Sequence, residues 1–123
     1  MILVDSNILI SYLNGDTVVI KRLQDYHLNE TVLFISAITV TEVLALESLT
    51  LSEIKIIEAF LAEFVTLSVT GNIAKQAAVL RRTHKISVPD ALIASTAQLH
   101  LVPLLTADVQ LHKIPRLKTL TIK

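Results

Sequence analysis

The chain has 123 residues, with no cysteine, no tryptophan, two glycines and three prolines, and its 11 basic residues are matched by 11 acidic ones. Without thiols there are no disulfide staples and no thiolate metal sites, which fits a reducing compartment. With so few glycines and prolines there is no linker, and no repeat or low-complexity tract occurs. A net charge of zero gives no support for nucleic acid binding, so any such binding must rest on local positive charge. The local candidates are Arg81-Arg82 with Lys85, and Lys113, Arg116 and Lys118. No apolar run reaches the roughly 18 residues of a membrane span. The opening Met1-Ile2-Leu3-Val4-Asp5 has no basic leader, so a signal peptide is not expected. A cytoplasmic protein with no membrane association is expected.

Apolar residues are plentiful. At 52% hydrophobic residues and a mean hydropathy of +0.62, one domain spanning residues 1–123 has ample material for a core. The apolar excess also predicts that some surface is covered by a partner or by a second copy, most simply in a homodimer.

Short apolar runs alternate with segments of helical spacing. Residues 1–4 form a strand candidate ended by Asp5-Ser6-Asn7, after which Ile8, Leu9, Tyr12 and Leu13 recur on one helical face. Gly15-Asp16 punctuates, residues 17–26 read as a helix, and residues 31–35 read as a strand. Residues 36–49 are helical in pattern, and Ser52 is the expected cap of an amphipathic helix reaching Phe64. Val65-Thr66-Leu67 is a strand candidate, Thr70 or Asn72 starts a helix to about His84, and Pro89 opens another to Leu99. Residues 103–106 form a further buried strand, and residues 117–122 alternate like an edge strand. Strands interleaved with helices predict a parallel sheet covered on both faces.

In such a sheet ligands bind outside the carboxyl ends of the strands. Asp5, Asp90 and Asp108 are each expected where a strand hands over to a helix, and Glu42 lies early in the segment after the second strand. Hard oxygen ligands gathered there suit Mg²⁺ or Mn²⁺ and point to phosphodiester chemistry. Each acid also has a local role to weigh. Asp5 and Asp108 are favoured helix caps, Asp90 complements a helix dipole, and Thr39-Val40-Thr41-Glu42 fits a capping box. The combination outweighs these, because four like charges at one edge repel unless a cation neutralises them. Asn7 and Thr106 flank the acids and are placed to orient them by hydrogen bonding. Glu47, five positions beyond Glu42, is turned about 140° away on a helix. Asp16 reads as a cap, and His27, His84 and His100 lack metal-ligand spacing. His112 shares a face with Asp108 only if that stretch is helical.

Asp5-Ser6-Asn7, Ser36-x-Ile38-Thr39-x-x-Glu42, Pro89-Asp90-Ala91-Leu92-Ile93-Ala94 and Leu105-Thr106-x-Asp108 together resemble PIN domains, specifically the VapC-type toxins of toxin–antitoxin pairs. The resemblance covers nearly the whole chain, and the stretch from Pro89 to Ala94 is its most specific part. It implies a three-layer α/β/α sandwich with a central, mainly parallel sheet of about five strands. Asp5, Glu42, Asp90 and Asp108 become the acidic site, with Asn7 and Thr106 in support. It further implies a Mg²⁺- or Mn²⁺-dependent endoribonuclease that leaves a 5′-phosphate and a 3′-hydroxyl, silenced by an antitoxin protein. Arg81, Lys85, Lys113 and Arg116 are then candidate contacts to RNA phosphates.

Two positions depart from the pattern. Gln110 stands where many relatives carry a further acid, and His84-Lys85-Ile86-Ser87-Val88 has no glycine where relatives often have one. Two other classes also place an Asp after the first strand. A phosphoacceptor or phosphatase domain is one, although the phosphatase pattern wants a second Asp at Asn7; a catalytically silent PIN-like interaction module is the other.

Overall fold

The computed structural model describes residues 1–122. The first strand, β1 (Ile2–Val4), is buried on both faces and stands at the centre of a sheet. Helices α1 (Ser6–Leu13) and α2 (Thr17–Leu28) lead to β2 (Leu33–Ser36); α3 (Ala37–Leu44) and α4 (Leu51–Leu61) lead to β3 (Val65–Leu67). From there α5 (Gly71–His84) and α6 (Val88–His100) return the chain to β4 (Leu104–Leu105), and β5 (Thr119–Leu120) closes the far edge. The five strands run parallel in the order β3-β2-β1-β4-β5.

This order decides the layering. Crossovers between parallel strands are right-handed, so connections that move in opposite directions along the sheet place their helices on opposite faces. The steps from β1 to β2 and from β2 to β3 move one way, and the step from β3 to β4 moves back past both. The core accordingly falls into two clusters. Ile2, Val4, Ile35 and Leu105 pack against α1, α2 and α4 through Leu9, Leu23 and Ile57. Leu3 and Leu104 face α5 and α6 through Leu80, Ile93 and Ala97. Successive residues of β1 and β4 thus serve opposite layers, which is why these short strands read as continuous apolar runs. The result is a three-layer α/β/α sandwich, as the sequence predicts. Among the described residues no helix is long and apolar enough to cross a membrane.

Several boundaries differ from expectation. The helix expected over residues 36–49 ends at Leu44, and Ser36, not Thr39, caps it by accepting the Ile38 N–H at 3.3 Å. No capping box therefore explains Glu42. Thr39 is instead wholly buried, and its hydroxyl has no hydrogen-bond partner among the described residues. Thr50, not Ser52, caps α4: its Oγ1 accepts the Glu53 N–H while Glu53 Oε1 accepts the Thr50 N–H, a reciprocal pair that outcompetes a single serine. Ser87 caps α6, so Val88 is its first residue and Pro89 its second. Strand β5 covers only two of the six residues expected to alternate.

Candidate active site

Neighbouring strands whose connections leave in opposite directions open a crevice at their carboxyl ends, and here those strands are β1 and β4. Asp5 follows β1 directly. It is 3% exposed and caps α1 by accepting the Ser6 N–H on Oδ1 at 2.7 Å. Its local role as a cap is therefore real, but it accounts for one oxygen only. On Oδ2 it accepts the Thr106 hydroxyl at 2.7 Å and Asn7 Nδ2 at 3.3 Å. Thr106 Oγ1 also accepts the Asp108 N–H at 3.0 Å, and Asn7 Oδ1 accepts the Ala107 N–H at 3.2 Å. Asn7 and Thr106 thus tie the end of β1 to the loop after β4 and orient both Asp5 and Asp108.

Asp108 caps no helix. Its Oδ1 accepts the Gln110 N–H at 2.9 Å in a tight turn before a short 3-10 segment, Leu111–Lys113. The shared helical face proposed for His112 does not exist: its Nδ1 is hydrogen-bonded to Thr119 Oγ1 at 2.6 Å, on β5. Asp90 reaches the site by a different route from the one its sequence neighbours indicate. It follows a helix, α5, and not a strand. Only residues 101–103 separate the end of α6 from the start of β4, and a 13-residue helix is about 20 Å long, so its first turn reaches back to the carboxyl edge. Glu42 comes from the second turn of α3, beside the opposite layer.

The acids act on one another electrostatically: Asp5 and Asp90 each feel Asp108, and Glu42 feels Asp5 and Asp90. Burial raises the Asp5 pKa; Thr106 and Ser6 oppose this by hydrogen bonding, and the charge of Asp108 adds to it. Burial likewise raises Glu42, opposed by the Ser6 hydroxyl and reinforced by Asp5 and Asp90. Asp90 is raised by burial, lowered by Ser87, and raised again by the charges of Asp108 and Asp5. No cation offsets this repulsion, because the one salt bridge among the described residues joins Lys21 and Asp25. Glu47 is exposed and lies beyond the end of α3, so the helical angle expected to turn it away does not apply.

Among the described residues no three His, Cys, Asp or Glu side chains form a ready-made metal cage. The donor chemistry still fits a divalent ion of the Mg²⁺ or Mn²⁺ type. Such an ion keeps several waters and takes only one or two carboxylates directly, which a looser group of carboxylates accommodates.

The expected basic residues are more scattered. Arg81 and Lys85, with Arg82, line an open depression at the end of α5. Lys113 and Arg116 are exposed beyond Asp108, and Arg116 has a backbone φ of 62°. The sequence pattern alone does not single out as site residues Ser6 and Ser87, whose hydroxyls lower the proton affinity of Glu42 and Asp90. The Ser87 signal was present, since Ser just before a proline-containing first turn marks a helix start.

A separate groove of about 320 Å³ opens between α1, α2 and α4. Tyr12 stacks on Phe60 with centroids 4.6 Å apart, and Phe60 meets Phe64 edge-on at 5.2 Å. Leu23, Leu28 and Leu33 complete its apolar wall.

Residues 2–117 match the PIN domain family. Among solved structures, a toxin–antitoxin complex from Klebsiella pneumoniae is similar at 28% identity and a TM-score of 0.86, covering 100% of this chain and 98% of that one. VapBC2 from Rickettsia felis, bound to a DNA fragment from its promoter, aligns at 20% identity and TM-score 0.84 over 98% of each chain. FitAcB from Neisseria gonorrhoeae aligns at 24% and 0.80, over 99% of this chain and 98% of that one. Curated proteins yield no match. With 2–117 of its 123 residues matched, and the acid-bearing crevice between its two central strands, the chain belongs to the PIN domain family.

Proposed function

We propose that this protein is a Mg²⁺- or Mn²⁺-dependent endoribonuclease and the toxin of a toxin–antitoxin pair. The observation that carries this reading is the meeting of Asp5, Glu42, Asp90 and Asp108 without a countercharge. The family match and the likeness to toxin–antitoxin complexes support it.

When bound, a divalent ion supplies Lewis acidity and lowers the pKa of its bound water. Asp5, Asp90 and Asp108 would hold that ion, one or two of them directly and the rest through its waters, and the Thr106 and Asn7 hydrogen bonds keep Asp5 from swinging away. Glu42, half-buried and with raised proton affinity, lies at the rim and takes the proton from the attacking water. The water oxygen bonds to phosphorus in line as the bond to the 3′ oxygen breaks, leaving a 5′-phosphate and a 3′-hydroxyl. Arg81, Lys85, Lys113 and Arg116 contribute local positive charge for flanking phosphates.

The groove between α1, α2 and α4 suits the apolar face of an antitoxin helix. Helix α1, about 12 Å long, runs from Asp5 at one end to Tyr12 in the groove at the other, so a partner seated there needs only a short extension to bring a basic side chain to the acids. Exposed Leu99, Leu101 and Val109 are available to a second copy in a homodimer. The decisive test is cleavage of RNA by purified, partner-free protein with Mg²⁺ or Mn²⁺. Activity that disappears in EDTA and in Asp5→Asn supports the reading, and equal cleavage under all conditions rejects it.

A further inference from the structure

Asp5 and Asp108 are fixed by β1, β4 and the hydrogen bonds between them, whereas Asp90 lies in the first turn of α6, directly after the three-residue connection 85–87 from α5. That connection turns through Lys85 at φ 55° and ψ 35°, a left-handed conformation that glycine tolerates and a β-carbon disfavours. Arg81 closes the turn twice. Its carbonyl accepts the Lys85 N–H at 2.9 Å, and its Nη1 donates to the Ile86 carbonyl at 2.8 Å. The Ile86 side chain is buried in the α5–α6 core, so the residue is anchored on one side by packing and on the other by the guanidinium at its carbonyl. The next residue is the α6 cap: Ser87 Oγ accepts the Asp90 N–H at 3.2 Å, and its carbonyl accepts the Ala91 N–H at 2.9 Å. An unbroken path of hydrogen bonds and single residues thus runs from the guanidinium to Asp90.

We propose that Arg81 is a positioning residue for Asp90: by holding the Ile86 carbonyl, its guanidinium fixes the loop that presents Asp90 to a divalent cation at the acidic edge. This rests on the metal-dependent reading above, and it gives Arg81 a task that contact with RNA does not require. The hydrogen bond takes the place of the backbone freedom that a glycine at position 85 would supply.

The test is Mn²⁺ binding by calorimetry with no RNA present, combined with amide hydrogen exchange at residues 87–91. Arg81→Met keeps the aliphatic stem and deletes the donor, and Arg81→Lys keeps one donor. The Met variant is expected to lose on the order of 10-fold in Mn²⁺ affinity, as loss of a group orienting a metal ligand does, and to exchange the Asp90 and Ala91 amides faster. The Lys variant is expected to retain most of the affinity, and Lys85→Gly added to Arg81→Met to recover part of it. Wild-type Mn²⁺ affinity in folded Arg81→Met overturns the proposal, whether the variant then shows weaker RNA binding, a purely phosphate-contacting role, or only a lower melting temperature, a purely structural one. Wild-type protein that binds no Mn²⁺ overturns the metal-dependent reading itself, and this proposal with it.

Discussion

At the carboxyl edge of the sheet, carboxylates are held together by hydroxyl, amide and backbone donors and repel one another. Along α1, α2 and α4, Tyr12, Phe60 and Phe64 are held by ring contacts and face a groove open to solvent. The first region lacks charge balance and the second lacks apolar cover. Each therefore gains from a different kind of ligand, a cation at one and an amphipathic helix at the other. Helix α1 belongs to both, with Asp5 as its cap and Tyr12 near its end. The contrast shows how one short helix can couple a reactive centre to a docking surface.

The sharpest break in this comparison is chemical. Asp90→Asn or Asp5→Asn is expected to abolish Mg²⁺- or Mn²⁺-dependent RNA cleavage while leaving the fold intact, as read by a gel-based cleavage assay and circular dichroism.

Thermal unfolding tests the same edge without a substrate. Mn²⁺ at 100 times its Kd stabilises the wild type by about 2.7 kcal/mol, an upward shift of several degrees. Metal-free Asp90→Asn is expected to melt no lower than metal-free wild type, because removing one repelling charge offsets the loss of a helix-dipole contact of about 0.3–1 kcal/mol. Its Mn²⁺ shift is expected to be smaller. Equal metal shifts in both proteins would remove the idea of a shared cation site.

Thr106→Val keeps shape and burial but removes the donor to Asp5 and the acceptor for the Asp108 N–H. A loss of Mn²⁺ affinity of roughly 10–100-fold is expected, read by calorimetry. In the groove, Leu28 is 77% exposed, so Leu28→Glu should change stability by no more than about 0.5 kcal/mol. It should nevertheless prevent a small protein from co-purifying from the native host; unchanged co-purification would place the partner elsewhere.

The smallest expected effect is a pH slope. Asp5, Glu42 and Asp90 bind protons more tightly folded than unfolded, so they favour the fold most fully below the ordinary carboxylate range, near about pH 4. That contribution is lost as the pH rises through the raised folded values. Metal-free protein should therefore lose stability over this rise, and saturating Mn²⁺ should flatten or reverse the slope. A metal-free stability that climbs with pH across the same window would show that burial and neighbouring charge do not raise these acids.

Much of this was legible in the linear chain. The apolar run before Asp5 and the stretch Leu104-Leu105-Thr106 announce buried parallel strands, and the caps at Asp16 and Thr70 lie where local chemistry puts them. The failures have specific causes. Ser52 lost to Thr50 because only Thr50 has a glutamate three residues on, and the helix after Ser36 stopped at Leu44 though the apolar pattern continued. The condition for His112 to share a face with Asp108, an α-helix through that stretch, is not met, because only the 3-10 segment Leu111–Lys113 forms there. Asp90 was given a strand before it, whereas the preceding element is α5.

By itself, the sequence determined the residue types and the local starts of elements: hydrophobic periodicity, capping hydroxyls and the acids just after the first and fourth expected strands are properties of neighbouring residues. Only the tertiary structure decided which acids meet. The strand order carries the chain from β3 back past β2 and β1, which puts α5 and α6 on the opposite face and lets α6 bring Asp90 to Asp5 and Asp108 from across the sheet. The same long-range packing assigned Arg81 to the Ile86 carbonyl and Thr106 to Asp5, a bond between residues 101 positions apart. Strand order is set by the burial of both sheet faces at once, a cooperative property of the whole core that no local window of sequence contains.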